Sequence, residues 1–311
     1  MARASLAVTQ SRRHNVVTAL ETLTSDPSLY HGDIYVAFVP DEEVGLFGSK
    51  HIDFSRFPVD FAYTIDCCEL GEVVYETFNA GSGKVTIHGV SAHPMSAKGV
   101  LVNPTLLAVD FINLFGKVTI HGVSAHPMSA KGVLVNPTLL AVDFINLFDR
   151  KETPECTEGK EGYIWCQAVQ SNQSTAVVTL NIRDHDKTRY EARKALIREN
   201  VERLKKMEPR ARVELELVDI YGNIADAVTD ENHKAIDYIY DAMKELGITP
   251  KTIAMRGGTD GSYISTQKIM TPNYFTGGMN FHSRFEFLPV SSFVKSYEMT
   301  MKLLELIVKN A

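Results

Sequence analysis

The chain is poor in the features that define several protein classes. Four cysteines (Cys67, Cys68, Cys156 and Cys166) are too few for the disulfide framework of a small secreted domain. Two of them are adjacent, which is not the spacing of a zinc knuckle, and they read as buried structural thiols. No apolar run approaches the ~20 residues of a membrane-spanning helix. The opening MARASLAVTQSRRH has an apolar stretch shorter than the about 7–15 residues of a secretory signal core. No basic block is present: 32 Lys+Arg and 38 Asp+Glu are mixed along the chain for a net charge of −6, which argues against a nucleic-acid partner. Nucleic acid and membrane are therefore excluded as expected partners, and the cytoplasm is the expected compartment. What is present, 44% hydrophobic and 23% charged residues, is the balance of a globular protein with a real core.

A length of 311 residues suggests about two domains of roughly 150 residues. The length is misleading, because residues 83–115 (GKVTIHGVSAHPMSAKGVLVNPTLLAVDFINLF) recur without a single change at 116–148. A period near 33 residues is also that of ankyrin arrays. Two copies, no ankyrin pattern and a β-strand in each copy reject that reading and point to a recent duplication or a gene-model or assembly error.

Residues 14–24 have helical apolar spacing, while DIYVAFV (33–39), FAYTID (61–66) and VVYETFNA (73–80) read as strands. Each repeat copy reads as strand, Gly/Pro-punctuated loop and helix. YIWCQAVQ, AVVTLNIRD and RVELELVDI read as strands, KTRYEARKALIRENVERLKKM as an amphipathic helix, and 231–246 and 290–309 as helices. The expected domains are 1–80, an inserted α+β module at 81–222 containing the tandem repeat, and 223–311 completing the first.

Five constellations could carry chemistry. PDEEVG (40–45) places Glu42 and Glu43 after a strand expected to be buried, where one acid could bind a metal and the other handle a water proton; an acidic helix N-terminus is the plain alternative. Asp66 ends a strand and suits a metal, or is a turn or cap aspartate. Arg256, in RGGTDGS, could clamp a carboxylate in a loop whose glycines admit a ligand, or sit in a surface turn. His282, in FTGGMNFHSRFEF, is a candidate imidazole ligand or a structural histidine. His93 and its twin His126, each in SAHPMSAKG, could reach a substrate oxygen or cap a helix. Arg183, in NIRDHD of the same module, belongs to this fifth constellation and could bind an anion or pair with Asp184 or Asp186.

The order of these motifs resembles one family. DIYVAFVPDEEVG, TID, HPMSAKGVLVN, IRDHD, RGGTDG and FTGGMNFHSRFEF together, from about residue 14 to the end, are similar to the peptidase T branch of the aminoacylase-like zinc exopeptidases. The resemblance implies an α/β zinc-exopeptidase catalytic domain with an inserted α+β lid, and release of the N-terminal residue from tripeptides. It implies two zinc ions sharing a carboxylate and holding a hydroxide. Glu42 then matches the general base, Glu43 and His282 ligands of one zinc, and Asp66 a ligand of the other. Arg183 and the His93/His126 loop match substrate-binding lid residues, and Arg256 is placed to contribute to substrate binding. A short peptide is the implied substrate and a homodimer the implied assembly.

The same resemblance implies that the catalytic domain is incomplete in this sequence. No His-x-Asp strand end precedes residue 33, and the bridging Asp of the family has no counterpart, so fewer zinc ions and impaired catalysis are expected. A remnant that only binds or dimerises through the lid is the alternative from another class, and an N-acyl amino acid deacylase is the alternative within the fold. RGGTDG and FTGGMNFH favour peptidase T over the deacylase by resemblance.

Overall fold

The computed structural model describes residues 4–8, 13–43, 45–85, 116–123 and 130–310. Two compact units are formed, one from Met1–Phe78 with Tyr221–Ala311 and one from Asn79–Ile220. The chain begins in the first unit with β1 (Ala4–Val8), α1 (Arg13–Ser25), β2 (Ile34–Phe38), the one-turn α2 (Phe47–Lys50), β3 (Phe61–Cys67) and β4 (Glu72–Thr77). The second unit holds β5 (Asn79–Val85), β6 (Gly116–His121), α3 (Pro137–Ile145), β7 (Tyr163–Ser171), β8 (Thr175–Asp184), α4 (Lys187–Met207) and β9 (Arg212–Tyr221). Back in the first unit come α5 (Lys234–Glu245), β10 (Lys251–Met255), α6 (Asp260–Thr266), β11 (Asn273–Phe275) and α7 (Val290–Lys309).

The first unit is built on a six-stranded sheet in the order β10-β4-β11-β3-β1-β2. β11, β3, β1 and β2 are mutually parallel, whereas β4 runs antiparallel to β11 and carries β10 parallel to itself. β3 is the apolar run FAYTIDC and is buried nearly throughout, as a parallel strand covered on both faces must be. Phe61, Tyr63 and Ile65 of β3 pack with Ile236, Ile239 and Met243 of α5 and with Met299, Leu303 and Ile307 of α7. Those helix positions recur at three- and four-residue intervals, so each helix turns one apolar stripe to the sheet. α1 joins the same layer: Asn15 Nδ2 donates to Ser296 Oγ at 2.8 Å, and Ser296 Oγ donates to the Phe275 carbonyl at 3.0 Å.

Three expectations change here. β1 is the segment ASLAV, which by sequence is only a short apolar stretch; it lacks the β-branched and aromatic enrichment of a strand and takes its place between two strands that have it. β2 lies at the sheet edge and is half-buried, so the PDEEVG turn follows an edge strand and not a buried one. VVYETFNA is not one strand. Thr77 N donates to Asn223 Oδ1 at 2.8 Å and Phe78 N to the Gly257 carbonyl at 3.2 Å. Those two bonds take the backbone out of the first ladder, and β5 starts in the second sheet at Asn79.

The second unit is a five-stranded sheet, β5-β9-β6-β8-β7, antiparallel except where β5 runs parallel to β6. The second repeat copy supplies strand β6 and helix α3. Asn136 caps α3, its Oδ1 accepting from Thr138 N and Leu139 N, and Pro137 takes the first helical position, where no amide is needed. Ile120, Val135, Leu140, Ala141 and Phe144 of this copy join Val178, Leu180 and Ile182 of β8 and Ile197, Val201 and Leu204 of α4 in the core. Of the first copy only Gly83, Lys84 and Val85 are described, as the end of β5.

Candidate functional site

In a parallel sheet, loops leaving the carboxyl ends of the strands share one edge, where ligands bind. Glu42 and Glu43 follow β2, Asp66 is the penultimate residue of β3 and His282 lies in the loop after β11. Since these strands are parallel, all four residues belong to one edge of the sheet.

The two acids are not the first turn of a helix. They sit in a turn closed by Gly45 N and Leu46 N on the Glu42 carbonyl and by Gly48 N on the Pro40 carbonyl, and α2 starts only at Phe47. Gly48 is required there, because a Cβ would stand 2.3 Å from the Pro40 carbonyl oxygen. Asp66 is neither a turn nor a cap residue. It is held inside the ladder, and its amide donates to Asn273 Oδ1 at 2.6 Å. Cys67 is buried and Cys68 half-buried. Their carbonyls accept from Thr276 N and Gly277 N at 2.8 Å, so this strand end is braced by the segment that leads to His282.

His282 has φ of 61°, in the left-handed region, at the tip of a loop closed by paired backbone bonds between Met279 and Phe287. Its amide donates to Glu286 Oε2 at 3.3 Å, and Asn280 Nδ2 donates to the Phe285 carbonyl at 3.2 Å. The imidazole Nδ1 lies 3.9 Å from Glu43 Oε2, both side chains being about three-quarters exposed. The structure therefore brings Glu43 and His282 together from motifs 239 residues apart. Among the described residues, no three His, Cys, Asp or Glu side chains gather as a metal site. The physical reason lies in the sheet: β1 separates β2 from β3, which places their axes about 10 Å apart. A long loop carries His282 across that gap, whereas Asp66 is fixed by its ladder.

Arg256 follows β10, which runs with β4 and against β11, so it leaves the sheet at the opposite edge from His282. Its guanidinium stands 5.1 Å over the Phe78 ring. Of the glycines beside it, Gly258 makes room for the Tyr221 ring, 2.3 Å from a Cβ placed there. In the second unit, Arg183 is half-buried near the end of β8. Asp184 is fully buried and bound by Arg189 at 2.9 Å and Arg193 at 3.0 Å, while Asp186 caps α4 by accepting from Arg189 N. His93 and His126 lie outside the described residues.

Sequence reasoning missed Asn273 and Glu286, which hold Asp66 and His282 in place. The available signals were an asparagine inside the otherwise aromatic NYF strand and the acid four residues after the candidate histidine.

The model of peptidase family M20/M25/M40 matches residues 15–306. The chain belongs to this family. A peptidase T-like protein of Yersinia pestis is 50% identical over 285 residues, 92% of this chain and 61% of that protein. Peptidase T of Fusobacterium nucleatum is 37% identical over 291 residues, 94% of this chain and 62% of that protein. The chain thus spans about 60% of the length of these M20 relatives. The aminopeptidase PepT structure from Bacillus cereus superposes with a TM-score of 0.74 at 17% identity, covering 99% of this chain and 81% of that one, which shows the fold. The YXEP protein of Bacillus subtilis, a dinuclear metal-binding M20 peptidase, superposes with a TM-score of 0.68 at 12% identity, covering 100% of this chain and 82% of that one.

The donor set can be tested against such a centre. Zinc takes four protein donors, or three with an open position. Among the described residues Glu43 and His282 form an exposed pair, and no three such side chains gather as a metal site. They do not fit a dinuclear centre by themselves. No helix among the described residues is long and apolar enough to cross a membrane.

Proposed function

We propose that the chain is a peptidase T-type member of the M20 family whose reaction is release of the N-terminal residue from tripeptides with zinc as the metal. The observation that carries this reading is the approach of Glu43 and His282 from opposite ends of the sequence, each from a motif similar to that branch. In this reading Glu42 is the general base, and Glu43, His282 and Asp66 are metal ligands. Arg183, Arg256 and the His93 or His126 loop are substrate-binding residues. The cytoplasm is the proposed compartment and a homodimer the proposed assembly.

The 311-residue polypeptide is impaired in this proposal, because two donors such as Glu43 and His282 hold zinc weakly and no three donors gather among the described residues. That observation favours a second reading, an inactive remnant that binds or dimerises through the second unit. Release of the N-terminal amino acid from a tripeptide, in zinc buffer, tests both. Slow release that is lost in Glu42→Gln supports the peptidase reading. Complete absence of release from folded protein supports the remnant. Cleavage of N-acyl amino acids but not of tripeptides overturns the peptidase T assignment in favour of a deacylase.

A further inference from the structure

The repeat has an unusual consequence in the second sheet. A strand has two edges, and β8 gives one of them to β7 along its length. The other edge meets both repeat copies at the same rungs. Leu180 pairs with Gly83 of the first copy and with Gly116 of the second, and Thr179 pairs with Lys84 and with Lys117. The copies also run parallel to each other twin against twin, Lys84 with Lys117 and Val85 with Val118. Two identical segments thus converge in one register on one sheet edge.

We propose that the strand-and-helix place held by the second copy is an exchangeable slot, which either copy can fill. As described, the second copy completes it: Val118, Thr119, Ile120 and His121 ladder with β9, and Ile120 and Phe144 are fully buried in the core. The first copy carries Ile87 and Phe111 at the same offsets, so every ladder bond and core contact can be remade by the twin. Neither arrangement is favoured by its connections. In sequence terms the two are equivalent: passing from any position of the first copy to its twin in the second skips 33 residues, and passing from the end of the first copy to Asp149 skips 33 as well. Loop closure depends on loop length and only weakly so, and the two lengths are equal. Exchange of identical elements for one site is the logic of domain swapping, here within one chain. The two arrangements are then close in free energy and both are populated.

The test uses the full chain and its single tryptophan, Trp165 on β7, as the reporter of this sheet. Urea unfolding is followed by Trp165 emission for Ile87→Ala, Ile120→Ala and the double variant. Because either copy can fill the slot, each single change lowers the folding equilibrium constant of the unit by about twofold or less, whereas the double change lowers it by more than about thirtyfold, as an isoleucine truncated in a core does. The proposal is overturned if Ile120→Ala alone matches the double variant while Ile87→Ala is silent, since the second copy is then the sole occupant. A large loss from each single change also overturns it, since both copies are then needed at once. If the alanine variants prove insoluble, the same comparison with Ile87→Val and Ile120→Val reads the same pattern at smaller amplitude.

Discussion

His282 Nδ1 stands 3.9 Å from Glu43 Oε2, although the two residues leave the sheet from strands three places apart. Zinc–nitrogen and zinc–oxygen bonds of about 2.0–2.2 Å put two ligands of one ion only a little closer than this. His282→Ala is therefore expected to weaken zinc binding by the chain at least about tenfold, and Asp66→Asn to weaken it less. Titration calorimetry with zinc alone checks the order of the two effects. Equal losses contradict the pairing of Glu43 with His282.

Asn273 is fully buried, with its Oδ1 on the Asp66 amide at 2.6 Å and its Nδ2 without a hydrogen-bond partner among the described residues. Asn273→Leu removes the acceptor from the amide, which costs about 1–3 kcal/mol, and also removes the orphaned donor, which returns part of that. A net loss of about 1 kcal/mol is expected, measured as a lower urea midpoint with an unchanged slope.

Gly81 faces the Tyr190 hydroxyl, which would stand 2.0 Å from a Cβ at that position. The hydroxyl cannot move aside freely, because it donates to Asp219 Oδ1 at 2.5 Å. Gly81→Ala is expected to destabilise the second unit by about 1–3 kcal/mol. Removing the hydroxyl restores space, so Gly81→Ala with Tyr190→Phe is expected to be less destabilised than the sum of the two changes. A thermal-unfolding cycle of the four proteins measures this coupling.

Burial works to raise the Asp219 carboxyl, but hydrogen bonds from Tyr190 and Lys194 and the Lys194 charge outweigh it and hold the group below its usual value. A carboxylate depressed in the folded state contributes stability that is present above its unfolded pKa and is lost as pH falls through its folded pKa. Asp219→Asn is expected to flatten the acid limb of stability while leaving its slope near neutrality unchanged. Unfolding midpoints from about pH 7 to pH 3 check it.

Much of this fold is legible in local pattern. β3, α4 and α7 announce themselves by apolar run or period, and the cap Asn136-Pro137 fixes the start of α3. β1, β10, α6 and β11 are short, and their neighbours in the sheet decide their state more than their own residues do. Composition cannot show that ASLAV fits between two stronger strands, nor that Phe78 ends one ladder and Asn79 begins another. At the candidate site the motifs for Glu43, Asp66 and His282 were readable, whereas their common sheet edge follows from the strand pairing. Which of them meet was not readable either, because it depends on how far the loop of His282 reaches and on the strand placed between β2 and β3.

In the proposed reading the chain carries peptidase T-type residues, while among the described residues no three donors gather as a metal site. Zinc bound per chain, determined on folded protein together with release of the N-terminal residue from a tripeptide, tests it most directly. Fewer than two zinc ions per chain, weakly held, with little release, are expected. Two tightly held zinc ions with rapid turnover, abolished by Glu42→Gln, would contradict this reading.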